Sequence, residues 1–280
     1  MFSKYELLYL VSILDYYEPG LVRIIEYYIN TYTFEANNEL KDTVNLWCNN
    51  EKKCMLEYGN ISYWNVVNIT NMSGLFTYQN NFNDDISRWN VSNITNMSFM
   101  FYYSDIFNKP INSWDVSNVT DMSYMFKDAY SFNQPIDSWD VSNVTNMYCM
   151  FYKTSNFNKS IDSWDVSNVT TMKNMFLNTL KFNQSLDNWD VSNVTDMSHM
   201  FYRAHNFNQP LDSWNILNVT DMRFMFANTK KFKQELECWN IQNVTHMYGI
   251  FYNSNINKYN IKRWSLYRNF KLHKDYLFKN

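Results

Sequence analysis

The chain has 280 residues, with 24 basic and 27 acidic side chains, a formal net charge of −3, and 19% aromatic residues, but only four glycines, four prolines and four cysteines. Disordered chains are poor in aromatic residues, collagen-like chains need abundant glycine, and small disulfide scaffolds need more cysteine, so none of these classes fits. The near balance of charge argues against a general nucleic-acid binder, and no run approaches the ~20 apolar residues of a membrane span.

The first 57 residues are predicted to form an N-terminal helical cap or entry module (1–57). Apolar residues recur at helical spacing from Tyr5 to Asn30, and Pro19-Gly20 divides that stretch into two helices. A further helix is predicted from Glu39 to Glu57. Its apolar stripe consists of Leu40, Val44, Trp47 and Met55.

The first residues of this region share only part of the pattern of a signal peptide. The segment Leu7–Leu14 is apolar enough, but Glu6 interrupts the charged leader and residues 15–18 offer no small-residue cleavage site. The sequence therefore shows no convincing signal peptide. We expect a cytoplasmic protein, in its own cell or in an infected host cell, rather than a secreted one.

Tryptophan recurs every 25 residues through most of the chain, which indicates tandem repeats of a solenoid or a propeller. When each Trp is counted as position 0, Asn recurs at +4, Thr at +6, Met at +8 and Phe at +12 in eight consecutive units. The repeated tryptophans are Trp64, Trp89, Trp114, Trp139, Trp164, Trp189, Trp214, Trp239 and Trp264. In one unit the structural repeat residues are Trp139, Asn143, Thr145, Met147, Phe151 and, at +18, Phe157.

The spacing within a unit predicts one short strand and one short helix. Trp at 0 and Val at +2 alternate as in a strand, whereas Met at +8, Met at +11 and Phe at +12 share one face of a helix. Each unit is then one coil of an α/β solenoid, because 25 residues are too few for a four-stranded propeller blade. Stacked coils bury together what no coil buries alone. We expect eight repeats in 58–257, followed by a degenerate C-terminal coil and basic cap in 258–280.

The repeated polar residues are interpreted as structural, because a single active site does not need eight copies. Asn side chains are expected to bridge the backbones of adjacent coils, and Thr to cap each helix. The Asn-Val-Thr triplets also match the glycosylation pattern, but we read them as residues of these columns in a non-secreted protein. The acids at +1, such as Asp140, could indicate cation binding, but Asn replaces them in half of the units and the Gly-rich loop of calcium solenoids is missing.

The sequence contains no arrangement of residues that is typical of an active site. It contains no Ser/His/Asp arrangement, no phosphate loop and no C-x-x-C pair, and the cysteines are expected to be reduced thiols. We therefore predict a protein that is not an enzyme, with no catalytic, metal-binding or cofactor-binding residues and no cofactor.

Positions at which the units differ are where repeat arrays bind their partners. At +13 tyrosine returns in every second unit, as Tyr102, Tyr152, Tyr202 and Tyr252, with Tyr78 and Tyr103 nearby. Because tyrosine is enriched in protein interfaces, these six residues are predicted to form a partner-binding face. The alternative is that the tyrosines only shield the helix ends.

The last residues of the chain are basic, with one acid, Asp275, among them. The basic residues are Lys258, Lys262, Arg263, Arg268, Lys271, Lys274 and Lys279. Such a concentration of positive charge at one end of the chain could favour salt-sensitive head-to-tail self-association or an anionic partner. Alternatively, it could mark a solvated terminal helix that blocks stacking. No nucleic-acid partner and no membrane span are expected.

The unit Trp-Asp-Val-Ser-Asn-Val-Thr-x-Met-x-x-Met-Phe, as at Trp139–Phe151, resembles the 25-residue repeat of the mycoplasma lipoprotein type, which is related to BspA-type leucine-rich-repeat surface proteins. The resemblance extends over about residues 36–264. It implies a right-handed, leucine-rich-repeat-like solenoid, and it says little about function because the family is largely uncharacterised.

Members of that family occur on bacterial surfaces and also in protists and large DNA viruses. The richness of this chain in Asn, Lys and Tyr is compatible with a viral or parasitic origin. This sequence lacks the lipobox cysteine near Met1 that surface members carry. We expect a non-catalytic scaffold for protein–protein interaction. The alternatives are a surface or adhesion protein, or a structural component of a virion or assembly.

Overall fold

Helices occur only near the two ends of the part of the chain that the computed structural model describes, residues 32–278. Helix α1 spans Asn37–Asn49 and α2 spans Glu51–Tyr58, and a 3-10 helix follows at Ile61–Tyr63. At the other end lie a 3-10 helix (Lys262–Leu266), α3 (Arg268–His273) and another 3-10 helix (Lys274–Tyr276). The two helices predicted between Tyr5 and Asn30 lie outside the described residues.

The single helix predicted from Glu39 to Glu57 is wrong, since two helices meet at Asn50. The Asn50 backbone is not helical (φ −153°, ψ 71°), and its side-chain oxygen accepts a hydrogen bond from the Lys53 N–H at 3.1 Å as the N-cap of α2. Because of this break, the buried face of α2 does not continue the apolar stripe of α1. Met55, predicted to be part of the apolar stripe, is therefore 39% exposed, and Cys54 is buried instead.

Each 25-residue unit is hydrogen-bonded to the next one through backbone N–H groups at alternate positions. The N–H of Phe99 donates to the Ser123 carbonyl, and that of Phe101 to the Met125 carbonyl, both at 2.9 Å. Equivalent bonds run from positions +8 to +14 of one unit to positions +7 to +13 of the next along the array. Isolated parallel bridges also join the +7 residues of successive units. The units therefore stack in register.

The predicted helix and strand of each unit are absent, and consecutive turns take their place between residues 65 and 260. Alternate N–H groups point to the neighbouring unit, so they cannot make the i to i−4 bonds of a helix. The intervening groups close shorter turns, as where the Met100 N–H donates to the Met97 carbonyl at 3.2 Å. The Trp89 N–H likewise bonds to the Ile86 carbonyl at 3.1 Å, which removes it from strand pairing.

The polar columns hold adjacent units together at the exposed edge of the stack. The side-chain amide of Asn143 donates to the Ser117 carbonyl at 2.7 Å, the bridging role expected for this column. The role predicted for Thr is wrong, because there is no helix to cap. Both the N–H and the hydroxyl of Thr145 donate to the Thr120 carbonyl, at 3.0 and 3.3 Å.

Stacked rings form the core. Trp139 is 3% exposed; its ring lies parallel to that of Trp164 (centroids 6.4 Å apart, planes 4° apart), and its indole N–H donates to the Ile111 carbonyl at 3.0 Å. A buried indole N–H without an acceptor would cost free energy, so this bond lets a large ring fill the core without that loss. Phe151 stacks on Phe157 within its unit, with centroids 4.2 Å apart. Met147, Phe151 and Phe157 are fully buried.

At both ends of the stack, residues outside the repeats accept hydrogen bonds from backbone N–H groups of the terminal units. On the first unit, the Asn37 side chain accepts hydrogen bonds from the N–H groups of Thr70 and Asn71, both at 3.2 Å. On the last unit, the Gly249 N–H donates to the Tyr276 carbonyl at 2.9 Å. These N–H groups therefore already have acceptors within the chain.

Two positions in every unit, +10 and +14, have a left-handed backbone, as type II turns require at their third residue. Glycine occupies only two of these sixteen positions, Gly74 and Gly249, and none carries a β-branched residue. A left-handed backbone costs non-glycine residues roughly 1 kcal/mol or more, and most for β-branched ones. The inter-unit bonds must therefore offset this local cost in every unit.

Replacing Asn174, which has φ +59°, by Val should lower the free energy of unfolding by about 1–2 kcal/mol, whereas Asn174→Gly should leave it unchanged or raise it. Urea unfolding followed by circular dichroism measures both changes. Leu177→Val, at a position outside the left-handed region, is the control and should cost less than Asn174→Val. Equal losses for the two Val variants would contradict the role assigned to the backbone.

Candidate functional site

The six predicted interface tyrosines lie on the same stretch of turns in their units, directly after the buried Phe at +12. Tyr102, Tyr103, Tyr152, Tyr202 and Tyr252 are half-buried, and Tyr78 is 64% exposed. We call the surface formed by these six residues and the side chains between them the tyrosine face. Its backbone is fixed by inter-unit bonds such as that from the Tyr103 N–H to the Lys127 carbonyl, at 2.9 Å.

Three tyrosines form one cluster at the start of this face. The ring of Tyr78 stacks on Tyr103 and meets Tyr102 edge-on, with both centroid distances 5.3 Å. Tyr102 and Tyr103 are themselves in edge-on contact at 4.7 Å. Burial raises the pKa of the Tyr102 hydroxyl, and the nearby ammonium of Lys127 opposes this rise. The Tyr102 hydroxyl therefore stays neutral at physiological pH.

Lys127 connects this cluster to the next tyrosine. Its ammonium lies 4.5 Å from the ring centroid of Tyr102 and 4.8 Å from that of Tyr152, the two equivalent residues in the units on either side. It is also paired with the buried carboxylate of Asp128 at 2.8 Å. Burial disfavours the charged form of Lys127, but the hydrogen bonds and charges of Asp128 and Tyr102 together outweigh burial and raise the pKa of Lys127. Lys127 was not among the predicted interface residues, and it lies between two of them as a cationic bridge.

A cavity of about 290 Å³ opens between Tyr152 and Tyr202, where Leu177 occupies the position that Lys127 has one gap earlier. We call this cavity the slot. The ring of Tyr202 is approached by the guanidinium of Arg203 at 5.4 Å and by the imidazole of His199 at 5.8 Å. The residues that line the slot are Tyr152, Lys153, Leu177, Asn178, His199, Tyr202, Arg203 and Phe224.

Sequence reasoning identified the two tyrosines of the slot but not its other members. Lys153, Asn178 and Arg203 occupy position +14, and His199 and Phe224 occupy +10. These are the two left-handed positions, at which the backbone turns the variable side chains to the same face as +13. The signal was present in the variability of both columns, and because +10 lies three and four residues before +13 and +14, even a helical unit would have placed these positions on one face.

The last tyrosine lies apart from the rest. Tyr252 is half-buried, and among residues 32–278 no other aromatic ring contacts its ring. Ala227, which is fully buried, separates it from Tyr202. The tyrosine face thus consists of a cluster bridged by Lys127, the slot, and an isolated tyrosine, instead of one continuous stripe.

A second cavity, of about 510 Å³, lies where α1 and α2 meet the first unit, and its lining is mostly polar. It is bordered by Trp47, whose indole N–H donates to Asp84 at 2.8 Å. Burial raises the pKa of the Cys48 thiol in its wall to about 12, so that this thiol remains protonated and unreactive at neutral pH.

The acidic side chains at +1 accept hydrogen bonds within backbone turns. One Asp140 carboxylate oxygen accepts a hydrogen bond from the Ser142 N–H at 3.0 Å, and the hydrogen bonds from Ser142 lower the pKa of this carboxyl group. In the described part of the chain, no three His, Cys, Asp or Glu side chains group closely enough to hold a metal ion. Nor does any helix of residues 32–278 have the length and apolar character needed to cross a membrane.

These observations define a protein built from tandem 25-residue units, with an invariant core and a variable tyrosine face. The chain belongs to the family described as "Mycoplasma protein of unknown function, DUF285", whose model matches residues 41–164 and again 145–264. The two matches end at Trp164 and Trp264, both of which are tryptophans of the repeat. Comparison with curated proteins and with solved structures gives no match.

The imidazole of His199 gives the slot a pH-dependent stability. Its Nδ1 is buried without a hydrogen-bond partner, and burial, together with Lys173 and Arg223, lowers the pKa of His199 below its ordinary value of 6.5 against the opposing charges of Asp221 and Asp196. The unfolded chain therefore binds this proton at a higher pH than the folded chain does, and the stability is lost as the pH falls below about 6.5.

His199→Phe should remove this loss, because Phe99 and Phe224 occupy the equivalent position with the same left-handed backbone. Between pH 8 and pH 5, the urea midpoint of the unsubstituted protein should fall further than that of the variant. Parallel midpoints over this range would contradict the assignment.

Proposed function

We propose that this chain is a non-catalytic repeat scaffold for protein–protein interaction, and that it binds its partner through the tyrosine face. The observation that carries the proposal is the contrast between the two sides of each unit. The core and the polar columns repeat in every unit, whereas positions +10, +13 and +14 vary and place tyrosines beside cations. Tyr and Arg are the residues that contribute most to binding at protein interfaces.

We further propose that the stacked units form a right-handed, leucine-rich-repeat-like solenoid related to the BspA-type surface proteins, with the cap, repeats and basic end divided at residues 57/58 and 257/258. The 25-residue period of the inter-unit bonds supports a solenoid. The alternatives are a surface or adhesion role and a structural role in a virion or assembly, with salt-sensitive head-to-tail self-association.

The tyrosine face can be tested with a photo-cross-linking residue, p-benzoylphenylalanine, placed at Tyr152 and, as a control, at the exposed Asp137. Illumination in the native host should give a discrete cross-linked product from position 152 and none from position 137. The cross-linked protein is then identified by mass spectrometry and produced separately. Products from position 137 alone, or from neither position, would contradict the proposal.

Binding of that partner to a Tyr152→Ala/Tyr202→Ala variant should be about tenfold weaker or more, since truncation of interface tyrosines commonly costs 1–2 kcal/mol or more. Calorimetric titration measures the affinity, and circular dichroism checks that the fold is kept. Unchanged affinity would show that the partner binds elsewhere.

A further inference from the structure

The slot exists because one residue type differs between two equivalent gaps of the tyrosine face. Between Tyr102 and Tyr152 the residue at +13 is Lys127, whose ammonium lies within 5 Å of both ring centroids and closes the gap. Between Tyr152 and Tyr202 it is Leu177, which is shorter and uncharged, and a cavity of about 290 Å³ remains. The chain therefore contains a filled gap and an open gap of the same design.

The size of the slot decides what it can hold. Cavities for drug-sized ligands and cofactors commonly measure about 300–1,000 Å³, so that 290 Å³ is at the lower limit of that range. It is sufficient for one large apolar side chain. Leu177, Phe224 and the ring of His199, which packs on Phe224 at 5.1 Å, supply apolar lining for such a group. Insertion of a single side chain into a pocket is typical of the anchor of a protein interface.

The charge around the slot indicates what surrounds that side chain. Lys153 and Arg203 border the slot, and Lys127 lies one unit away. Asp128 is the carboxylate paired with Lys127 and Lys153, at 2.8 and 3.6 Å, and no carboxylate of residues 32–278 forms an ion pair with Arg203. This region is therefore positive in a chain whose net charge is −3, which favours an anionic partner.

The same cations argue against the stacking of nucleic-acid bases here. Lys127 and Lys153 both lie over the ring of Tyr152, at 4.8 and 5.4 Å, and Arg203 lies over that of Tyr202 at 5.4 Å. Single-stranded nucleic acids bind by stacking bases on free aromatic faces. Ring faces that are already occupied by cations of the chain itself suit a peptide better.

We propose that the slot binds one large apolar side chain of a partner segment whose neighbouring residues are Asp and Glu. This proposal rests on the proposed function and names the partner chemistry that the tyrosine face recognises. The apolar anchor fills the space over Leu177, and the flanking carboxylates lie against Lys153 and Arg203.

The test uses the full chain and three unlabelled nine-residue peptides with blocked ends, titrated by calorimetry. The first has a central Phe between Asp and Glu residues, the second has Ser in place of Phe, and the third has Lys in place of the acids. The acidic Phe peptide should bind at least about tenfold more tightly than either of the others. Equal binding of the Phe and Ser peptides, or no binding of the acidic Phe peptide, would overturn the proposal.

The variant Leu177→Lys reproduces the closed gap of Lys127 and also adds a positive charge. If the Phe side chain inserts into the slot, the affinity of this variant for the acidic Phe peptide should fall tenfold or more, although the added Lys attracts the acidic residues of the peptide. Ser160→Lys adds the same charge at an exposed position and is expected to retain binding. Stronger or unchanged binding to Leu177→Lys would show a merely electrostatic contact and overturn the proposal.

Two further outcomes separate the alternatives. If a thymidine oligonucleotide binds more tightly than the acidic Phe peptide and Leu177→Lys abolishes its binding, the slot is a nucleic-acid site and the proposal fails. If the acidic Phe peptide does not bind while a partner still cross-links at position 152, the slot assignment fails and the scaffold role stands. Absence of that cross-link, with or without peptide binding, counts against the scaffold role.

Discussion

The structure depends on one constraint, the repeated donation of backbone N–H groups from one unit to carbonyl groups 24 residues further along the chain. These bonds are donated by alternate residues between +8 and +14, so that each unit must place the same backbone atoms opposite those of the next unit. A change of one residue in the length of a unit would shift the donors and acceptors on one side of the change out of register with the neighbouring units. The same register aligns the rings of tryptophan and phenylalanine into continuous stacks, as at Trp139 and Trp164. Hydrogen bonding and apolar packing therefore require the same period.

This constraint also explains why a variable face can exist on so regular a structure. The backbone of the tyrosine face is held by its own N–H and carbonyl groups, as at Tyr103 and Lys127, and the bonds do not depend on side-chain identity. The left-handed positions limit the choice to residues without β-branching, and within that limit the chain carries Tyr, Lys, Asn, His and Arg. The core thus sets the geometry, and the +10, +13 and +14 positions are free to determine chemistry. The open gap at Leu177 beside the closed gap at Lys127 is an example.

The sequence predicted what depends on the period and missed what depends on the path of the backbone. Burial of Trp139 and Phe151 and the bridging by Asn143 follow from recurrence at fixed spacing. The helix was wrongly predicted because Met and Phe at +8, +11 and +12 have the same spacing in consecutive three-residue turns as on a helical face. Without those turns the left-handed positions could not be foreseen. Lys153 and His199 were missed at the slot because the predicted face was limited to tyrosines. The tyrosines could be identified from the sequence because tyrosine recurs at +13 in every second unit.

The register of the units can be tested most directly by comparing the urea unfolding of two length variants. Deletion of residues 139–163 removes one whole unit and joins Ser138 to Trp164, so that every remaining donor keeps its acceptor. Insertion of one Ala between Met150 and Phe151 shifts the donors within a unit. Our account predicts cooperative unfolding of the deletion variant, with a denaturant slope reduced in proportion to its length. The insertion variant should have a strongly lowered midpoint or a broadened transition. A stable insertion variant together with an unfolded deletion variant would contradict the account.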